Sequence, residues 1–222
     1  MDNYQNKVTD IINNAEIYHE SYYKAGIFRG PSLYFHRRTL EIANSDNFEL
    51  YLEFIYATLA SWGMHRMGRG GPIMQNFDVF KESILKIKDK IEKAKMINYQ
   101  NVTESDWELL EEIFRGIKVM NTHTSIVGNS KVMAHMIPNI VPPIDREYTL
   151  KYLKGNKNIR NGLDYEWELM KEIMSEFFIP IAKNNEFDEK ARDWISNQSE
   201  YPWDTSILKV VDNLVIGAMQ ET

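Results

Sequence analysis

Lys131 and Asp145, in the middle of the chain, have the types and positions expected of a nucleophile and its electrostatic partner. Lys131 follows the turn-forming residues Gly128, Asn129 and Ser130. Because Asn129 or Ser130 can cap a new helix, this pattern predicts that Lys131 lies in the first helical turn. The positive end of the helix dipole disfavours another cation there, which biases the amine towards its neutral, nucleophilic form.

Asp145 comes directly after the stiff segment VPPI. Each Pro fixes its own φ and restricts the residue before it, so the position of the Asp is well defined. We predict that Asp145 is the N-cap of the next helix, where its carboxylate accepts backbone N–H bonds and stays ionised. A neutral amine beside such a carboxylate can attack an electrophilic carbon, and exposed backbone N–H groups at Gly128 would suit a phosphate.

The elements that must position these two residues are helical along the whole chain, since apolar residues recur with the period of an α-helix. We predict one all-α domain over residues 1–222, a compact bundle of about ten helices. A two-lobed arrangement with a cleft is left open. The predicted helices cover roughly 3–20, 32–44, 45–62, 77–95, 105–120, two short helices between 130 and 154, 165–183, 186–197 and 205–219.

Local signals predict where several helices start and end. Asp46 with Glu49, and Ser105 with Glu108, have the spacing of a capping box, which places a helix start at each first residue. Pro180 is expected to kink or end the helix that contains it.

Composition excludes several kinds of site. The chain has no Cys, so disulfides, thiol catalysis and cysteine-ligated metal clusters are excluded. Its five His residues show neither HExxH nor HxH spacing, and the Gly-rich MGRGGPIM lacks the P-loop pattern. We therefore expect no metal site and no cofactor. No apolar run reaches the ~18 residues of a membrane span, and the N-terminus lacks a signal-peptide pattern, so a cytoplasmic protein without membrane contact is expected.

The formal net charge is −6, but basic residues are concentrated in three segments. These segments, 21–40, 57–77 and 128–162, carry a net charge of +4, +2 and +4, so the rest of the chain carries −16. If the three segments converge, they form a basic face that suits duplex DNA as a partner. In the second segment Arg66 and Arg69 lie in a Gly-rich loop, which could carry them towards an anionic ligand.

The stretches IVGNSKVMA and VPPIDREY resemble the helix-hairpin-helix DNA glycosylases, the superfamily of 8-oxoguanine glycosylases and endonuclease III-like enzymes. In that superfamily a Gly-containing hairpin precedes a Lys, and a Pro-containing loop precedes an Asp that caps the next helix. The resemblance covers about thirty residues, and it implies a helix-hairpin-helix-like element at 106–154. Here the Lys follows the last Gly by one residue more than is usual.

The resemblance implies a role for each candidate residue. Lys131 would be the lyase nucleophile and Asp145 the catalytic carboxylate, while the backbone at Gly128 and Ser130 would bind a phosphate. Further positive charge for DNA would come from Arg66, Arg69, Lys151, Lys154, Lys157 and Arg160. The aromatic residues that could stack on a base extruded from the duplex are Trp62, Tyr34 and Phe35.

A second class of function fits the same residues. In this alternative the protein is a non-enzymatic helical protein that binds an anionic partner or assembles with itself. Lys131 and Asp145 would then serve only as helix-start residues and would not have to share a pocket. Whether the Lys131 amine and the Asp145 carboxylate lie in one cleft distinguishes the two hypotheses.

Overall fold

The fold is all-α, as the helical periodicity predicted. Helical residues make up 71% of the part of the chain that the structure describes, about twice the ~30–35% typical of globular proteins. Strand-like pairing, within the part of the chain that is described, is limited to an antiparallel bridge between Met74 and Met120. The structure is a computed structural model, and it describes residues 2–28, 30–65, 73–122 and 124–221.

The helices follow one another with short connections. In chain order they are α1 (Asp2–Asn13), α2 (Ala15–Ala25), α3 (Pro31–Ile42), α4 (Phe48–Leu59), α5 (Phe77–Leu85), α6 (Lys88–Ala94), α7 (Glu104–Gly116), α8 (Ile126–Met136), α9 (Lys151–Lys154), α10 (Leu163–Ile173), α11 (Ile179–Ala182), α12 (Asn185–Ser196) and α13 (Ile207–Glu221). π-Helical turns extend α4 over Ala60–Met64, precede α9 over Arg146–Leu150 and join α10 to α11 over Met174–Phe178.

Two segments that were predicted as single helices, 3–20 and 77–95, are each divided in two. The first divides at Asn14, whose backbone leaves the helical region (φ −109°, ψ 16°). The Asn14 amide donates to the carbonyl oxygen of Asp10 at 3.0 Å, and such local bonds compete with the helical ladder. The second divides at Ile87 (φ −114°, ψ 9°), so α6 starts in a new direction.

Both predicted capping boxes are wrong in register. Helix α4 is capped by Asn47, whose side chain accepts from the Leu50 backbone N–H at 3.0 Å. The capping box of α7 is formed by Thr103 and Asp106, two residues earlier than predicted. In each case neighbouring polar residues offered more than one acceptable cap, and packing of the apolar face selected the register. Near Pro180 the helical path runs through the π-helical turn before it and ends at Ala182.

Helices α2 and α13 pack closely and form one wall of the candidate site. A Cβ atom at Gly217 would lie 1.9 Å from the backbone carbonyl oxygen of Tyr18, so the absence of a side chain permits this approach. Close to this contact, Tyr22 of α2 and Ile216 of α13 pack with Trp203 in a hydrophobic cluster separate from the main core. This second cluster places the aromatic rings of Tyr22 and Trp203 beside the α2–α13 contact.

Candidate functional site

Lys131 lies inside α8 and not in its first turn, so that part of the prediction is wrong. The helix begins at Ile126, because the buried carboxylate of Glu166 accepts the backbone N–H groups of Ser125 and Ile126, each at 2.6 Å. This cap lies 40 residues away in sequence from the helix that it starts. Lys131 is therefore in the second turn, and the argument from the positive end of the helix dipole does not apply to it.

The residues before Lys131 pack against other segments and do not form an exposed turn. A Cβ atom at Gly128 would lie 2.7 Å from the side chain of Met120 and 2.8 Å from that of Val119, which explains the glycine. The buried Ser130 hydroxyl accepts the backbone N–H of Ile144 at 3.0 Å. The expectation of exposed backbone N–H groups at Gly128 is wrong, and Ser130 instead ties the Asp-bearing loop to α8.

The prediction that Asp145 caps a helix is confirmed. Its Oδ1 accepts the backbone N–H of Glu147 at 2.7 Å, and its own N–H donates to the Thr149 hydroxyl at 3.1 Å. The first turn is π-helical, since the Leu150 N–H bonds to the Asp145 carbonyl oxygen at 3.0 Å. Reciprocal bonds of this kind hold the carboxylate in a single orientation.

Lys131 and Asp145 meet in space. The Lys131 Nζ donates to Asp145 Oδ2 at 3.0 Å, while Oδ1 is used by the helix cap. Burial alone would raise the pKa of Asp145, but the Lys131 ammonium and the N–H groups of Glu147 and Tyr148 outweigh it, so the pKa lies below 3.8. Asp145 is therefore a fixed negative charge at neutral pH and a weak proton acceptor.

Asp145 both caps a helix and pairs with Lys131, so different substitutions should lower the free energy of unfolding by different amounts. We expect Asp145→Ala to lower the free energy of unfolding by about 2–3 kcal/mol, since the cap is lost and the buried Lys131 ammonium loses its partner. Asp145→Asn keeps a capping oxygen and should cost about 1 kcal/mol. Chemical denaturation at neutral pH measures both. Equal losses for the two variants would contradict the dual role.

A cavity of about 260 Å³ opens beside this pair. Five of its twelve lining residues are aromatic, and the Lys131 Nζ lies 5.6 Å from the centre of the Trp62 ring. An apolar cavity with a few converging charges is the usual form of a small-molecule site. The aromatic residues that line it are Tyr22, Phe28, Trp62, Tyr148 and Trp203.

The same cavity contains a second Lys–Asp pair that the sequence analysis missed. Lys209 Nζ donates to Asp212 Oδ2 at 2.7 Å, and both residues are less than 10% exposed. Burial raises the pKa of Asp212 more than the nearby Lys209 lowers it. A signal was present, since the two charged residues stand three apart in the otherwise apolar stretch ILKVVDNLVIGAM.

Two buried histidines support the backbone at Lys131. His135 Nδ1 lies 2.7 Å from the Lys131 carbonyl oxygen, and His135 Nε2 lies 3.1 Å from His36 Nδ1. Burial lowers the pKa of His135 to about 4, so the ring is neutral at physiological pH and its Nδ1–H donates to Lys131. His123 lies outside the described residues.

Most of the residues predicted to bind phosphate lie away from this cavity or outside the described chain. Lys151 and Lys154 line a different groove, together with Lys7, and Lys154 pairs with Glu172 at 3.3 Å. Lys157 is nearer, because it pairs with Glu147, which lines the cavity. Arg160 stacks on the Tyr165 ring. Arg66 and Arg69 fall in the segment that is not described.

Of the three aromatic residues suggested for base stacking, Trp62 lines the cavity. The Tyr34 side chain is 58% exposed. Phe35 packs between Tyr34 and Phe54. The cavity instead uses Phe28 and Trp203, which come from distant parts of the chain.

The described residues form neither a metal-binding cluster nor a membrane-spanning helix. Over the ranges given above, no three His, Asp or Glu side chains are placed to hold a metal ion. None of the helices in those ranges has the length and apolar character needed to cross a membrane.

Comparison of the chain with family models, curated proteins and solved structures finds no match.

Proposed function

We propose that the protein is a DNA glycosylase with AP-lyase activity, in which Lys131 is the nucleophile and Asp145 the stabilising carboxylate. The observation that carries the proposal is the 3.0 Å contact between Lys131 Nζ and Asp145 Oδ2 beside an aromatic cavity. Enzymes of this kind rotate the target nucleotide out of the duplex and hold the base in a pocket, often between aromatic rings. Trp62 and Trp203 supply such rings here.

In the proposed reaction the Lys131 ammonium first gives a proton to solvent, and the resulting amine attacks C1′ of the extruded nucleotide. The new C–N bond forms as the glycosidic bond breaks, and the proton released from the amine balances the negative charge of the departing base. Opening of the sugar ring then gives an imine between Lys131 and the sugar. Asp145 stabilises the positive charge that develops on the sugar, because its carboxylate is already ionised and oriented by the helix cap.

The geometry favours this proposal over the non-enzymatic alternative. That alternative needs Lys131 and Asp145 only as helix-start residues, but Lys131 lies in the second turn of α8 and is 8% exposed. A buried Lys–Asp pair seldom adds stability beyond what apolar residues would give. Its place beside a cavity is therefore better accounted for by chemistry at that cavity. Reduction of the imine by borohydride in the presence of abasic duplex DNA tests the proposal directly.

Duplex DNA should bind if the basic segments form one face, and its affinity should fall steeply with added salt through counterion release. The triple variant Arg66→Ala, Arg69→Ala, Lys154→Ala should lose up to three phosphate contacts. Each lost contact should reduce the steepness of log affinity against log salt by about 0.9. Fluorescence anisotropy of a labelled duplex measures this slope.

The matched control removes three exposed lysines from other helices and connections, Lys86, Lys93 and Lys183. This control should keep the slope of the parent, although its net charge changes by the same amount. If both triple variants alter the slope equally, the salt dependence comes from the net charge of the protein and not from a basic face that contacts DNA. Absence of binding at low salt would favour the non-enzymatic alternative.

A further inference from the structure

The second Lys–Asp pair has no role in the proposed reaction. Lys209 and Asp212 are 8% and 5% exposed, and both line the cavity that contains Lys131 and Asp145. Burial of two charges costs solvation, which the contact between them only partly offsets. The pair is therefore best explained by something that it binds in the cavity.

A shell of polar residues holds Lys209 in place from behind. The Lys209 ammonium also donates to the Asn213 side-chain oxygen. The Asn213 amide donates to Asp204 Oδ1 at 2.7 Å and to the Trp203 carbonyl oxygen at 3.3 Å. Asp204 is fully buried and lies 2.7 Å from His19 Nε2. Pre-organisation of a polar group by such a supporting shell is characteristic of recognition sites.

The described contacts leave hydrogen-bonding capacity on both members of the pair. An ammonium has three N–H donors, and the contacts of Lys209 with Asp212 and Asn213 use two of them. Asp212 Oδ2 is engaged by Lys209, whereas a carboxylate has two oxygens. The pair thus offers a donor and an acceptor side by side.

We infer that Lys209 and Asp212 together read the hydrogen-bonding edge of a planar heterocycle that lies among the aromatic rings of the cavity. Lys209 donates to an acceptor on that edge, and Asp212 accepts from the N–H beside it. An acceptor next to an N–H donor is the pattern that the pairing edge of an unmodified nucleobase presents. The inference rests on the proposed function in one respect: the heterocycle is taken to reach the cavity as a base extruded from DNA.

The size and walls of the cavity fit this class of ligand. At about 260 Å³ it lies just below the ~300–1,000 Å³ of sites for drug-sized molecules. Its aromatic walls, Trp62 and Trp203 among them, suit a ring that stacks. A ligand of one or two fused rings uses both features, while its polar edge meets the charged pair.

The test compares two free purines that differ at one position of this edge. Hypoxanthine has an N–H next to its carbonyl oxygen, and N1-methylhypoxanthine has a methyl group in place of that hydrogen. Binding of either compound is followed by quenching of the intrinsic tryptophan fluorescence, to which Trp62 and Trp203 in the cavity contribute. We expect the parent to bind hypoxanthine at least about tenfold more tightly, because the methyl group removes the hydrogen bond to Asp212 and places a carbon against its carboxylate oxygen.

The decisive variant replaces both members of the pair, Lys209→Met with Asp212→Leu. No buried charge is then left unpaired, so the variant should fold. Stacking should still bind both purines weakly, but their affinities should become equal within about twofold. The matched control is Lys95→Met with Glu92→Leu, an exposed pair with the same i, i+3 spacing and a 2.8 Å contact. This control should keep the discrimination of the parent.

Equal affinities in the parent, unchanged discrimination in the double variant, or no quenching by either purine would each overturn the inference. The outcome is separable from that of the proposed function, since an abasic duplex carries no base at the reacting sugar. Adduct formation is therefore measured on the parent protein, with abasic duplex DNA and borohydride. An adduct without discrimination refutes only the inference, and discrimination without an adduct refutes only the proposed chemistry.

Discussion

Lys131→Ala should abolish the covalent complex that the parent forms with abasic duplex DNA in the presence of borohydride. Attack of an amine on the open-chain sugar of an abasic site expels water and gives an imine. Borohydride reduces the imine to a secondary amine, so protein and DNA stay joined through denaturing electrophoresis. Without the Lys131 amine, no group beside Asp145 in the described structure can form this bond.

The necessary control is Lys209→Ala, because the Lys209 amine lies in the same cavity. Lys209 is held by Asp212 and Asn213 and not by Asp145, so this variant should still form the adduct. Both variants must melt as folded proteins for the comparison to count. Equal adduct formation by the parent and by Lys131→Ala would refute the role of Lys131, and loss of the adduct in Lys209→Ala alone would transfer that role to Lys209.

Asp145→Asn separates the two halves of the proposed reaction. The variant keeps the helix cap but loses the negative charge that stabilises the sugar as the glycosidic bond breaks. Base removal should slow by about 10²–10³-fold, the usual cost of losing one electrostatic stabiliser. Adduct formation at a ready-made abasic site should slow much less, because that bond is already broken.

Features that depend on neighbouring residues could be predicted from the sequence. Asp145 was predicted correctly as a helix cap because the preceding prolines and the short carboxylate determine that conformation within five residues. Lys131 was identified from its neighbours, but its place in α8 was predicted wrongly. The cap of that helix is Glu166, and nothing in the local sequence indicates that a side chain so far away starts the helix.

The cavity was the harder part to predict. Helix α13 is buried on every side from Ile207 to Ala218, and its mostly apolar sequence does not indicate which helices surround it. Lys131 of α8 shares the cavity with Lys209 and Asp212 of α13 and with Trp203, which precedes α13 in the chain. The sequence contained a signal for Lys209 and Asp212, yet the assembly of these residues into one site depends on long-range packing.

Gly217→Ala should strongly destabilise the protein, because it disturbs this long-range packing. A Cβ atom there would lie 1.9 Å from the carbonyl oxygen of Tyr18 and 2.7 Å from its carbonyl carbon. Backbone atoms cannot rotate away as a side chain does, so α2 and α13 must move apart. We expect a loss of about 3 kcal/mol in the free energy of unfolding, at the upper end of the cost of overpacking.

The matched comparison is Gly116→Ala at the end of α7. There the nearest atoms belong to the Ile87 side chain, at 2.6 and 3.2 Å, and this side chain can change its rotamer. The free energy of unfolding should therefore fall by only about 1 kcal/mol, and chemical denaturation distinguishes the two losses. Because Tyr22 and Ile216 line the cavity beside the α2–α13 contact, Gly217→Ala should also slow adduct formation under conditions in which it is fully folded. A Gly217→Ala protein as stable as the parent would mean that the two helices do not approach as closely as described, and the wall of the cavity would have to be placed differently.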